Sequence, residues 1–171
     1  MKFPLTIFLL STLFSSLTQA NESCNERFSI KQLWVMQEAF EGGIDEDYSF
    51  TLAAVTWQES SAGLKLHRKD GEHWSLNSYG AFHILLRTAK ARLGGCKTYQ
   101  CSRIAKRLKE DIAFSIGLAI EELDYWENRL KSRKSAISAY NAGNNWNSTI
   151  GRGYFNKIHS KKLYLKRCIR F

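Results

Sequence analysis

Apolar residues along the chain fall at helical spacing in several blocks. Ile30, Leu33, Trp34 and Phe40 predict a helix over 30–40, stopped by Gly42-Gly43. A second helix is predicted from near Asp45-Glu46-Asp47, whose charge suits a helix N-terminus, to about Ser60. Residues 62–80 break the period, with Gly63, Gly71, Asn77 and Gly80 scattered among charged and aromatic residues, and predict a long loop with a small hairpin. A short helix from about Ile84 to Leu93 leads to Gly94-Gly95 and a two-cysteine loop.

Ser102 is expected to cap the longest helical segment, striped by Ile104, Leu108, Ile112, Ile116, Ile120, Leu123 and Leu130. Its middle, IAFSIGLAI, is apolar on every side and predicts a helix at the centre of the domain, with Gly117 as a candidate kink. Two more short helices are expected over 135–142 and 149–158. The picture is a mainly α single domain with a small β-hairpin or irregular excursion near 62–80.

At 171 residues one domain is the natural division, and no internal repeat or low-complexity linker argues otherwise. The stretch MKFPLTIFLLSTLFSSLTQA carries an early lysine, an apolar run from Leu5 to Leu17 and small or polar residues up to Ala20. It reads as a signal peptide over 1–20, leaving 21–171 as a periplasmic or secreted domain. The apolar run, interrupted by Ser and Thr, is short for a membrane anchor.

Export changes how the cysteines are read. All four, Cys24, Cys96, Cys101 and Cys168, follow the leader, and an even count favours disulfides over metal. Spacing suggests Cys96 with Cys101 and Cys24 with Cys168, although three connectivities are open. His67, His73, His83 and His159 lack zinc-ligand spacing, so no metal or other cofactor is expected.

Net charge is +9 and unevenly placed: no acid follows Glu127, whereas Arg129, Lys131, Arg133, Lys134, Arg152, Lys157 and further bases do. Such a tail suits an anionic wall polymer outside the cell, or is simply a solvated basic face. Nucleic acid ranks lower, because no helix-turn-helix or zinc-finger pattern accompanies the charge.

The stretch LAAVTWQESSAG, residues 52–63, ends an apolar helix in a carboxylate. Thr56, Val55 and Leu52 share the helix face of Glu59, while Phe50, Ala53, Ala54 and Trp57 cover the other side. A helix apolar on both sides is buried and takes its last turn with it. Desolvation and the negative helix end then both raise the pKa of Glu59 toward the range of a general acid.

WQESSAG at 57–63, SYGAFHILLRTA at 78–89, SAISAYNAG at 135–143 and GYFNKI at 153–158 follow one another in an order that resembles the soluble lytic transglycosylase domain. That family has a lysozyme-like fold. The resemblance spans roughly 30–160, and the AYNAG string and the Glu-Ser pair are its specific parts. It implies that Glu59 is the single catalytic acid and base, with Ser60, Ser78, Gly80, His83, Tyr140 and Asn141 about the substrate. It further implies that the Tyr140 hydroxyl donates toward Glu59. Where family members read Gly-Leu-Met-Gln this chain has Gly80-Ala81-Phe82-His83, and Leu86 or Arg87 stands where a proline is common. His83 can still donate a hydrogen bond, but it can also titrate.

The implied reaction is cleavage of the β-1,4 bond between N-acetylmuramic acid and N-acetylglucosamine. The substrate's N-acetyl group assists, and Glu59 then takes a proton from the C6 hydroxyl as a 1,6-anhydro ring closes. The expected partners are peptidoglycan glycan strands, acted on by a monomer, with a secretion or conjugation apparatus as a possible context. Two rivals stand beside this reading. One is a hydrolytic muramidase in which Asp70 or Glu72 positions a water; the other is a non-catalytic wall-binding, secretion-associated protein. In either case Trp74, Tyr79, Phe82, Tyr140, Trp146 and Tyr154 offer rings for sugars or for the core.

Overall fold

The computed structural model of the protein describes residues 27–171. The expected leader over 1–20, and Cys24 with its expected partnership to Cys168, lie outside the described residues. Among the described residues the chain is mainly helical, with seven α-helices and one small antiparallel sheet.

Helix α1 (Ile30–Glu41) starts at Ser29, whose hydroxyl accepts from the Gln32 amide while the Gln32 side chain accepts from the Ser29 amide, and it ends at Gly42. Its inner face is Val35, Met36 and Ala39. Ile30 and Trp34 of the expected stripe are exposed, because the stripe was drawn one step off the true face. Helix α2 (Ser49–Ser60) packs between α1 and α7 (Thr149–Cys168). Every residue from Thr51 to Val55 is 0% exposed, so α2 is the central helix. The acids at 45–47 do not begin it; they lie in the preceding turn, where Arg133 donates to the Asp47 carbonyl at 2.7 Å and its carboxylate at 3.1 Å.

After α2, Ser61, Ala62 and Gly63 all take positive φ and turn the chain sharply. The excursion then builds a three-stranded sheet of β1 (His67–Arg68), β2 (Ser78–Tyr79) and β3 (Ile84–Leu85), in that spatial order. His67 pairs with Tyr79, and Ser78 with Leu85. Gly80 follows β2 at φ +81, and a β-carbon there would stand 2.2 Å from the Leu108 carbonyl oxygen. Only glycine allows the sheet to approach the helices so closely.

Helix α3 (Leu86–Arg92) leads to the Cys96–Cys101 disulfide, Cα atoms 5.4 Å apart, at the start of α4 (Thr98–Glu110). Ser102 sits inside α4 rather than capping it. The long predicted helix is two, α4 and α5 (Ile112–Leu130), divided at Asp111. Asp111 leaves helical geometry (φ −118°, ψ 99°) and accepts from the Phe114 amide, closing one helix and capping the next. The break therefore falls at Asp111, not Gly117, and α5 is half-exposed, with Ala113 and Gly117 facing outward. Helix α6 (Arg133–Ala142) packs on α5 and α7, and α7 continues ten residues past the expected end at Ile158.

Candidate functional site

Helix α2 delivers Glu59 to the seam between the sheet and helices α6 and α7. The left-handed turn that follows is held by Ser60, whose hydroxyl donates to the Thr56 carbonyl and accepts from the Gly63 amide at 2.8 Å. Ser60 is 0% exposed, so it shapes the turn and does not face a ligand.

The Glu59 side chain is 5% exposed and has a partner on each oxygen. Tyr154, from the inner face of α7, donates its hydroxyl to Oε1 at 2.7 Å. Arg68, from β1, donates to Oε2 at 2.9 Å. Burial pushes the carboxyl above its usual range, outweighing the Tyr154 hydrogen bond and the Arg68 charge, which both pull it down. Burial, and secondarily the Glu59 charge, hold both Tyr154 and Tyr140 well above the usual phenol range, so both act as neutral hydroxyls.

Arg68 reaches onward. Its Nε donates to Asp70 Oδ1 at 2.7 Å, and Ser78 donates to Asp70 Oδ2 at 2.5 Å. Burial opposes ionisation of Asp70, but the Ser78 and Arg68 hydrogen bonds prevail and hold it below its usual value. Both Asp70 oxygens are thereby engaged. Glu72 is exposed.

His83 takes a left-handed φ of +45° in the turn before β3. Its Nε2 lies 2.7 Å from the Lys65 carbonyl oxygen, which can only accept, so Nε2 carries the ring hydrogen. Nδ1 is then a lone pair, 3.8 Å from Glu59 Oε2, buried and without a partner. Burial lowers the His83 pKa and keeps the ring neutral.

The structure thus gathers Glu59, His83, Tyr140 and Asn141 around a cavity of about 40 Å³, which Arg68 and Glu122 also line. Glu122 is tied down there by Arg92 and by the Trp126 indole at 2.6 Å. A second cavity bordered by Glu59, of about 320 Å³, is lined by Arg68, Asn141, Thr149, Gly153, Tyr154 and Lys157, among others. Ser78 and Gly80 line neither of these cavities, one holding Asp70 and the other packed on Leu108. A larger cavity of about 700 Å³ lies between the disulfide loop, α4 and α5 and contains none of these groups.

The expected donation from Tyr140 to Glu59 is corrected: the Tyr140 hydroxyl goes to the Phe82 carbonyl at 3.0 Å, and Tyr154 makes the bond to the acid. Tyr154 belongs to the buried row Gly151, Tyr154, Ile158 and Leu165, whose helical spacing is legible in the sequence. No comparable signal marks Arg68, which sits in the charged run HRKDGEH. Of the candidate sugar-stacking rings, Tyr79, Phe82 and Tyr154 are core, whereas Trp74, Tyr140 and Trp146 are partly buried. Among the described residues no three His, Cys, Asp or Glu side chains are grouped as a metal ion would require, and no helix is long and apolar enough to cross a membrane.

Comparison with known proteins gives one informative likeness. Over 116 residues the chain is 36% identical to an uncharacterized 20.7 kDa protein in the vs-regB intergenic region of Enterobacteria phage T4, a match covering 67% of this chain. The chain spans 61% of that relative's length. No protein-family model matches the chain, and no solved structure matches it.

Proposed function

We propose that the protein is a peptidoglycan lytic transglycosylase with a lysozyme-like fold, cleaving the β-1,4 bond between N-acetylmuramic acid and N-acetylglucosamine with Glu59 as acid and base. The observation that carries this reading is the Glu59 carboxyl. It is buried at the end of the central helix, biased toward its protonated form, fixed by Tyr154 and bordering two cavities.

Such an acid can protonate the leaving oxygen. The substrate's N-acetyl group meets the developing positive charge, since neither Asp70 nor Glu72 is placed as a second free carboxylate. Once the leaving sugar departs, the Glu59 carboxylate takes a proton from the C6 hydroxyl and the anhydro ring closes. The basic side chains on α7, Lys157 among them, suit an anionic wall polymer outside the cell.

Mass spectrometry of products from purified peptidoglycan tests the assignment. Wild-type protein is expected to release fragments with 1,6-anhydromuramoyl ends, and Glu59→Gln to be slower by at least about 10²-fold. Equal release by the two proteins would refute Glu59 as the acid, and binding without release would leave a wall-binding protein in place of an enzyme.

A further inference from the structure

The buried lone pair on His83 has no role in ring closure, where Glu59 alone gives and takes the proton. A buried polar atom without a partner costs stability, and His83 holds a strained backbone angle as well. Both costs fall beside the acid.

Oε2 and Nδ1 are 3.8 Å apart, too far for a direct hydrogen bond. A single water about 2.8 Å from each would direct one hydrogen to either acceptor, with little distortion of its own angle. Oε2 has a lone pair to spare beside the one that receives Arg68. Glu59 and His83 both line the cavity of about 40 Å³, which has room for one water. With both hydrogens so engaged, that water would keep its oxygen lone pairs free.

We propose that His83 Nδ1 and Glu59 Oε2 together hold a nucleophilic water, so that the protein hydrolyses the same glycosidic bond in parallel with anhydro-ring formation. The proposal rests on the reading of Glu59 as the acid of a wall-cleaving enzyme. In the first step the Glu59 proton passes to the glycosidic oxygen, which leaves with the bonding electron pair while the N-acetyl oxygen bonds to C1. The C6 hydroxyl and the held water then compete for C1 and for the same carboxylate. When water wins, its oxygen bonds to C1 and the N-acetyl oxygen is released. One hydrogen returns to Glu59, and the other stays on the new C1 hydroxyl, where His83 accepts its hydrogen bond. One water is consumed and the enzyme is restored.

The test uses peptidoglycan pre-reduced with borohydride, so that every reducing end is new, and counts reducing against anhydromuramoyl ends by mass spectrometry. Wild-type protein should yield both. His83→Gln should lower the ratio of reducing to anhydro ends at least tenfold, whatever its total rate, the residual anhydro product reporting that the variant is folded. Anhydro ends alone from wild type would overturn the proposal, whatever the variant does. So would an unchanged ratio in His83→Gln, or a variant that loses both products in equal measure. Wild-type protein releasing neither end would instead sink the underlying assignment of Glu59.

Discussion

The Tyr154 hydroxyl meets Oε1 of Glu59 at 2.7 Å, joining residues 95 positions apart, while Tyr140, whose ring lies parallel to that of Tyr154 with centroids 6.4 Å apart, bonds a backbone carbonyl instead. The two phenols are neighbours with separate duties. Removing the Tyr154 hydroxyl withdraws a donor that favours the Glu59 carboxylate, so Tyr154→Phe should raise the Glu59 pKa further. Tyr140→Phe should leave that titration in place and cost about 1 kcal/mol of stability through the lost bond to Phe82. Carbon-13 chemical shifts of the Glu59 carboxyl against pH, with denaturant unfolding of each variant, separate the two effects.

Arg68 pulls the acid in the same direction as Tyr154 by its charge. Arg68→Met should therefore move the Glu59 titration upward and also release Asp70 toward its ordinary value. The alkaline edge of the pH–activity profile should shift to higher pH. A shift to lower pH would contradict the placement of Arg68 on Oε2.

Burial of Glu59 makes stability depend on pH with a definite sign. A pKa raised from 4.5 means that the folded protein binds this proton more tightly than the unfolded chain. The resulting stabilisation is complete below the unfolded value and is lost as pH rises through the folded one. Glu59→Gln, which never carries the charge, should match wild type near pH 4 and exceed it at pH 8. Urea midpoints of both proteins across that range provide the check.

Gly80→Ala should cost on the order of 3 kcal/mol or more, because the added carbon meets the Leu108 carbonyl and the backbone keeps a φ of +81°. Thermal melting measures the loss. An alanine tolerated within 1 kcal/mol would mean that the sheet can draw back from α4.

Helix identity was legible in the sequence wherever apolar spacing recorded what the helix buries, as in α2, where apolar residues on both sides placed Glu59 at the end of a buried helix. The division at Asp111 was not, since the stripe from Ile104 to Leu130 continues on the same inner side through both helices. Periodicity cannot reveal a cap that preserves phase. At the site, Glu59, His83, Tyr140 and Asn141 do line one cavity. The pairing of Tyr154 and Arg68 with Glu59 was not legible, because it depends on how α7 and β1 cross α2, a long-range geometry that no local pattern encodes.

One side chain on a two-residue strand is shared between the acid and the loop that follows that strand: Arg68 holds Glu59 with one nitrogen and Asp70 with another. The acidity of the helix end is thereby tethered to the posture of the sheet. Any displacement of β1 that loosened the guanidinium would strengthen the proton's hold on Glu59, because the Arg68 charge and hydrogen bond both favour the carboxylate.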